Sequence, residues 1–470
     1  MVKCKMKIKL QIALAPLILA LTFMTFVFVS CDSSNDSAKA VHDPNFPIDL
    51  ISFEPDSGRI REMVLLSGSN FGSDISDIKV FFNAAEAKVI GSTGTLILAL
   101  TPRMPGDTCV VMVQVGRQTK AYEHKFRYKI EASVTTLAGN GNSQNRFNDG
   151  LDNSQLIPVY VGADNDYNLF VTVEVNTLLR INLRTNTLQV LATGNDGFNH
   201  RCMPIVNSRN NVLQMGAEGT GNSDRFMFLD PADGWAPKLR FIKSWDDNGC
   251  PRPAGGPSGV NSYETHYQCL YCEADEMYYT RYNGGQIVRI NPETWEAKII
   301  GMTPVGNTYG VAFHPINKSE LWIAYTESSG NTVTPVEAGN SIFTLDVTDE
   351  RKDENNILLS LQRRTGPITV GGHRDGPISE SQFNGIRGIS FDSEGNLYVG
   401  DIFNHCIRMI NTQTMMVSTL IGIPGVNAPF LNGQRESATF NQPTGIAVDP
   451  DDVIYVADFG NRRVRRIAIE

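Results

Sequence analysis

The chain has 470 residues, more than one ordinary domain, so at least two folded units are expected. Its formal net charge is −9, which argues against a nucleic-acid-binding protein, since such a protein needs a basic surface to contact phosphates. Aromatic residues make up 9% and charged residues 19% of the chain, a composition typical of globular proteins that excludes wholesale disorder.

The first thirty residues have the pattern of an export signal. Four lysines in MVKCKMKIKL precede the apolar run QIALAPLILALTFMTFVFV, which ends at Ser30 and Cys31. The run is nearly long enough to span a bilayer, so a plain membrane anchor is the alternative. The letters FVSC resemble the lipobox of a bacterial lipoprotein, with Phe28 in place of the usual leucine. The resemblance implies a signal peptide over 1–30 and a polar linker over 31–45, with lipid attached to Cys31.

Acidic residues after the lipobox extend this resemblance. Asp32 and Asp36 are similar to the export signals of glycan-foraging Gram-negative gut bacteria, which send lipoproteins to the outer face of the outer membrane. Several acyl chains on Cys31 would give a durable anchor, since each buried CH₂ contributes about 0.8 kcal/mol. The resemblance therefore implies a lipid-anchored outer-membrane protein that faces the cell exterior.

Residues 46–130 have the two-residue hydrophobic alternation of half-buried strands, as in TCVVMVQVG. Glycine, asparagine and proline interrupt the strands every eight to twelve residues, which is typical of a β-sandwich. This segment resembles an IPT/TIG domain, which implies an immunoglobulin-like fold without chemistry of its own. The residues that carry the resemblance are Pro55, Gly58, Gly68, Asn70, Phe71, Gly72, Pro102 and Tyr128.

Residues 131–470 contain an internal repeat of about 57 residues. Gly388 matches Gly445, and Asp401 matches Asp458, at the same spacing in two units. Each unit contains four strand-like segments, which predicts one blade of a β-propeller. The unit PTGIAVDPDDVIYVADFGNRRVRRI resembles an NHL repeat, a family that builds six-bladed propellers.

The ends of the repeated region predict how the ring closes. VTTLAG starts at residue 134 and VSTLIG at residue 417, five periods apart, whereas no such strand follows NRRVRRIAIE. Pro158 and Pro443 are also five periods apart, so both counts indicate six blades. VTTLAG would then supply the outermost strand of the last blade, which removes two exposed sheet edges. The predicted fold is all-β: an immunoglobulin-like sandwich, then a six-bladed propeller.

A propeller commonly binds its ligand at the mouth of the central channel, next to the first residues of the inner strands. Aromatic and polar side chains at these positions suit a sugar or a peptide. A second candidate is the proline- and glycine-rich insertion FIKSWDDNGCPRPAGGPSGVNSYETHY, since loops on rigid scaffolds often carry binding sites. In both places, packing without function is the alternative. The candidate ligand-binding residues are Tyr160, His200, Arg201, Trp245, Tyr263, His266, Tyr267, Tyr309, Arg387 and Thr444.

The sequence assigns no catalytic residue, metal or cofactor. Asp401 and Asp458 recur at one blade position, which favours a structural role over metal binding, because a metal site draws ligands from different blades to one point. Cys269 and Cys272 form a CxxC motif without a second ligand pair, so buried thiols are favoured over zinc ligands. No Gly-x-Ser-x-Gly nucleophile motif is present.

The leading hypothesis is a non-enzymatic outer-surface lipoprotein that binds an oligosaccharide or polysaccharide. Its architecture resembles that of accessory lipoproteins of glycan-uptake systems, which implies an outer-membrane importer as a partner. Two alternatives stay open: a propeller hydrolase or lyase with a channel metal, and a protein–protein docking module. The fold alone does not decide among the three.

Overall fold

The computed structural model describes residues 40–103, 108–144, 146–147, 150–196, 203–207, 213–216, 225–250, 269–271, 276–280, 285–304, 306–326, 338–367 and 369–469. Within these ranges the regular structure consists of β-strands and four short 3₁₀ turns. The all-β prediction is therefore confirmed. The strands form one N-terminal sheet system and six smaller sheets.

The N-terminal domain has eight strands in the order β1-β3-β6-β5-β4-β7-β8-β2. Alternate residues of these strands are buried, as predicted from the two-residue period. Phe82 and Phe126 pack edge to face in the core with ring centroids 5.0 Å apart. The strands are β1 Asp49–Glu54, β2 Ser57–Gly58, β3 Met63–Ser69, β4 Ile78–Phe82, β5 Ala85–Ser92, β6 Leu96–Leu100, β7 Thr108–Val115 and β8 Gln118–Tyr128.

The turn at Asn70 and Gly72 depends on two of the residues that carry the IPT/TIG resemblance. Asn70 has a φ of 62° and Gly72 a φ of 75°, in the left-handed region that favours asparagine and glycine. The Asn70 side chain donates to the carbonyl oxygens of Asp43 and Phe46, at 2.9 and 2.7 Å. The turn therefore fixes the end of the preceding linker onto the sandwich.

The second part of the chain contains six sheets, here called repeat sheets 1 to 6 in chain order of their inner strands. Repeat sheet 1 has β10 Pro158–Ala163, β11 Asn168–Val173, β12 Thr177–Asn182 and β13 Thr187–Ala192. Repeat sheet 2 has β14 Ile205–Val206, β15 Leu213–Gly216, β16 Arg225–Leu229 and β17 Lys238–Phe241. Repeat sheet 3 has β18 Ser244–Asp246, β19 Cys269–Tyr271, β20 Met277–Thr280, β21 Gln286–Asn291 and β22 Glu296–Met302.

The last three repeat sheets follow the same plan. Repeat sheet 4 has β23 Thr308–Phe313, β24 Glu320–Tyr325, β25 Ile342–Asp346 and β26 Gln362–Arg363. Repeat sheet 5 has β27 Gly376–Pro377, β28 Ile386–Phe391, β29 Asn396–Asp401, β30 Cys406–Asn411 and β31 Met416–Ile421. Repeat sheet 6 has β9 Ala132–Ala138, β32 Gly433–Gln434, β33 Pro443–Val448, β34 Ile454–Asp458 and β35 Arg463–Ile469.

The repeat sheets have a propeller-like arrangement. Their inner strands contact each other in the order β10, β14, β19, β23, β28, β33, and β33 also contacts β10. A Cβ atom on Gly388 would lie 2.6 Å from the Thr444 carbonyl oxygen, and one on Gly445 would lie 2.6 Å from the Tyr160 Cα atom. These glycines are needed because the backbones of neighbouring inner strands touch.

The predicted pairing of VTTLAG with the C-terminal strand is present. β9 lies antiparallel to β35, with Val134 opposite Ile467 and Thr136 opposite Arg465. Here the structure adds a strand that the sequence analysis missed, because the two residues of β32 pair with the far side of β9. β9 is therefore next to outermost in repeat sheet 6, and the C-terminal strand has partners on both sides.

Candidate ligand-binding mouth of the propeller

Four inner strands begin with the same irregularity. The strand register shifts between Thr308 and Gly310 in β23 and between Pro443 and Gly445 in β33, and equivalent shifts occur in β10 and β28. A β-bulge of this kind re-aims the side chain of the extra residue. Three of the candidate ligand-binding residues, Tyr309, Arg387 and Thr444, lie inside these irregularities, and Val159 has the equivalent place in β10.

The structure brings Tyr309 and Arg387 together. The Arg387 guanidinium carbon lies 4.5 Å from the centroid of the Tyr309 ring, within cation–π range, across the boundary between repeat sheets 4 and 5. Both residues are half-buried. A flat ring and a fixed guanidinium donor at one rim can pack against the C–H face of a sugar and donate to its hydroxyl groups.

Thr444 and Tyr160 are more deeply buried than Tyr309 and Arg387. The Thr444 hydroxyl donates to the Val159 carbonyl oxygen at 2.7 Å and links repeat sheets 6 and 1, and the residue is 2% exposed. Tyr160 is equivalent to Gly445 of repeat sheet 6, because each is the first paired residue after the register shift in its strand. Tyr160 is also 2% exposed. The Thr444 side chain therefore lies between the inner strands β33 and β10, and the Tyr160 side chain is buried.

Trp245 lies away from the mouth. The sequence analysis placed it in a loop, but it belongs to β18, which pairs in parallel with β22 at the outer edge of repeat sheet 3. The half-buried indole packs against a core cluster that includes Trp295 and Ala297. The inner strand β19 is four strands away, a distance of about 19 Å at the usual spacing between strands.

The remaining candidate residues lie outside the described part of the chain. They are Cys31, His200, Arg201, Tyr263, His266 and Tyr267. Their predicted roles in lipid attachment and ligand binding stay predictions.

The recurrent aspartates form a structural network. Asp458 and Arg465 are fully buried and form an ion pair at 2.7 Å, and Asp401 and Arg408 form the same pair at 2.9 Å. The Asp458 carboxylate also accepts from the Asn441 backbone N–H and the Asn461 side chain. Burial raises the pKa of both aspartates. Both carboxylates therefore have hydrogen-bond and ion-pair partners within their own repeat sheets.

Two further observations concern the described residues as a whole. They contain no cluster of three or more histidine, cysteine, aspartate or glutamate side chains placed to hold a metal ion. In the ranges given above, no helix has the length and apolar character needed to cross a membrane. Cys109, Cys250 and Cys406 are buried free thiols.

Two segments of the chain match known domain families. Residues 49–128 match the IPT/TIG domain, and residues 440–467, which contain β33 to β35, match the NHL repeat. The N-terminal domain is therefore an IPT/TIG domain, and repeat sheet 6 contains an NHL repeat.

Among curated proteins, human NHL repeat-containing protein 2 is 25% identical to this chain over 162 residues. The match covers 31% of this chain and 21% of the human protein. The chain thus spans about a fifth of the length of that relative.

Solved structures match over more of the chain. A Bacteroides thetaiotaomicron protein of unknown function has a TM-score of 0.63 and 22% identity, covering 92% of this chain and 100% of that one. An auxiliary nutrient binding protein from the same bacterium has a TM-score of 0.55 and 21% identity, with the same coverage. At these identities the likeness establishes a shared fold.

Proposed function

We propose that this chain is a non-enzymatic binding protein whose ligand contacts the channel mouth of a six-bladed propeller. The observation that carries the proposal is the pairing of Tyr309 with Arg387 at equivalent positions of adjacent inner strands. Six repeat sheets whose inner strands contact each other in cyclic order support the blade number. The shared fold with an auxiliary nutrient binding protein supports a binding role.

The ligand we propose is an oligosaccharide or polysaccharide. A half-buried aromatic ring beside a guanidinium supplies an apolar face and directed hydrogen-bond donors at one place, the combination that pyranose rings require. In this proposal Cys31 carries the lipid that holds the protein on the outer membrane, and an outer-membrane importer receives the glycan.

Tyr309→Ala is expected to weaken glycan binding at least tenfold, because it removes the stacking surface and the support for Arg387. Isothermal titration of the wild type against a panel of soluble plant, host and microbial polysaccharides identifies the glycan, and the variant is then titrated with it. Tyr309→Phe keeps the ring and is expected to bind within about threefold of wild type.

The chain offers a matched control for this experiment. Arg184 and Tyr167 make a cation–π pair with the same 4.5 Å separation, but Tyr167 lies in the turn between β10 and β11, at the far end of an inner strand. Tyr167→Ala should leave glycan affinity unchanged. Equal losses in Tyr167→Ala and Tyr309→Ala, or no binding by the wild type across the panel, would contradict the proposal.

Cys31→Ser tests the anchor separately. Loss of the only proposed acylation site should move the protein from the detergent-extracted membrane fraction to the soluble fraction, as followed by fractionation and immunoblotting. Continued membrane association of the Cys31→Ser protein would instead favour the plain membrane anchor.

A further inference from the structure

A cavity of about 220 Å³ lies where the IPT/TIG domain meets the propeller. The domain contributes Pro102 and Arg103 to its wall, and repeat sheets 4 and 5 contribute Ile316, Glu394 and Gln413. Arg387 is the second residue of β28, whereas Glu394 lies in the turn after β28. Arg387 is four residues from the end of β28 at Phe391, about 13 Å along the strand, so this cavity, which lies beyond that end, is separate from the proposed glycan site.

Arg103 connects the domain to the propeller, and its charge is already balanced. Its guanidinium donates to the Asp452 carbonyl oxygen at 2.7 Å and pairs with the Asp452 carboxylate at 3.4 Å. The Asp452 carboxylate also accepts from the backbone N–H and the hydroxyl of Ser393, both at 2.8 Å. The charges of Arg103 and Asp452 therefore neutralise each other at the boundary between the two domains.

Glu394 is the carboxyl group in this cavity that lacks a donor. Among the described residues, no hydrogen bond or ion pair reaches its side chain, although the residue is half-buried. Glu86, which also lines the cavity, pairs with Lys79 at 3.3 Å. A half-buried carboxylate that accepts no hydrogen bond is stabilised when it binds a proton or a cation.

The charged groups around Glu394 also affect the pKa of its carboxyl group. The pKa of Glu394 is raised to about 7, mainly by burial and also by the nearby Asp392 and Asp452, and Arg103 opposes part of this rise. The Asp392 oxygens already accept from the Glu394 and Asn396 backbone N–H groups and from two side chains. Of these three carboxyl groups, Glu394 is the one whose oxygens accept no hydrogen bond from the described residues.

We propose that this cavity binds a small molecule with one primary ammonium group on a short apolar stem. The ammonium would donate to Glu394, and the stem would lie against Ile316 and Pro102. Ile316 exposes 63% of its surface, so the apolar wall is open to such a stem. Because the walls come from both domains, an occupant would contact the IPT/TIG domain and the propeller together.

Binding of n-butylamine to the purified full-length protein tests this proposal, with n-butanol as the neutral isostere. The expected result is a saturable shift of the Ile316 methyl resonance with n-butylamine and no saturation with n-butanol. Glu394→Gln should weaken n-butylamine binding at least tenfold, whereas Glu86→Gln should change it less than twofold. Equal binding of the amine and the alcohol, or full binding by Glu394→Gln, would overturn the proposal.

The pH dependence gives a second readout. Below about pH 7 Glu394 is protonated, so the affinity for n-butylamine should fall up to tenfold for each pH unit below that value. Without ligand, the folded state holds one more proton than the unfolded state between about pH 4.5 and 7, so the contribution of Glu394 to stability is fully present below pH 4.5 and is lost as the pH rises through 7. Glu394→Gln should therefore have a higher thermal midpoint than wild type at pH 8. A lower midpoint, together with a pH-independent affinity of the wild type, would exclude the assigned role of Glu394.

Discussion

Asp458→Ala is expected to lower the free energy of unfolding by about 3–5 kcal/mol, among the largest effects of any single substitution in this chain. The substitution leaves the Arg465 guanidinium fully buried without its carboxylate partner, 2.7 Å away in the native protein. It also removes the acceptor of the Asn441 backbone N–H and the Asn461 side chain. Urea unfolding followed by circular dichroism measures the change.

A surface ion pair provides the control for this prediction. Lys79 and Glu86 pair at 3.3 Å, but their side chains are 51% and 53% exposed. Glu86→Ala should therefore cost only about 0–1 kcal/mol. If Asp458→Ala cost no more than Glu86→Ala, the buried aspartate–arginine pair would not stabilise the last repeat sheet as we infer.

Val134→Asp is expected to open the propeller where its first and last strands meet. Val134 is 1% exposed and lies opposite Ile467 in the ladder between β9 and β35. Arg465, the basic residue diagonally across the ladder, is already paired with Asp458, so a buried carboxylate at this position should cost about 3 kcal/mol or more. Detachment of β9 would also expose the edge of β35, and exposed edges associate. Differential scanning calorimetry and light scattering should show a lower midpoint and oligomers.

Thr135 offers the matched position for this second test. It is the next residue of the same strand, it is exposed, and it lies opposite Arg466. Thr135→Asp places the same charge one residue away and should leave the protein monodisperse, with a midpoint close to that of the wild type. A Val134→Asp protein as stable and monodisperse as Thr135→Asp would mean that β9 does not hold the ring closed.

The features that could be predicted are those that repeat or alternate along the chain. The two-residue period of β7 predicted its buried face, because alternate side chains of a strand lie on opposite sides. Counting repeats identified the partner of β9, because a blade that lacks a strand must obtain it from elsewhere in the chain. The same count located Tyr309 and Arg387 at equivalent positions, which the structure places side by side.

The features that escaped prediction depend on contacts without a sequence period. Trp245 stands beside proline and glycine residues that are typical of a loop, yet Ser244–Asp246 adds to β22 as a parallel strand. The cavity at Glu394 depends on how Arg103 of one domain packs against turns of the other, a contact that neither the IPT/TIG pattern nor the blade repeat predicts. Only the packed chain shows that Glu394 lacks a donor.

Because β9 pairs with β35, the ring can close only after the C-terminal strand has been synthesised. During synthesis β9 emerges before any inner strand of the propeller, and the strand it requires is the last of those described. The nascent chain must therefore carry a strand without this partner through about two thirds of translation, and long-range pairings of this kind slow folding. A chain released between residues 449 and 462 would contain every inner strand and still be unable to join its two ends.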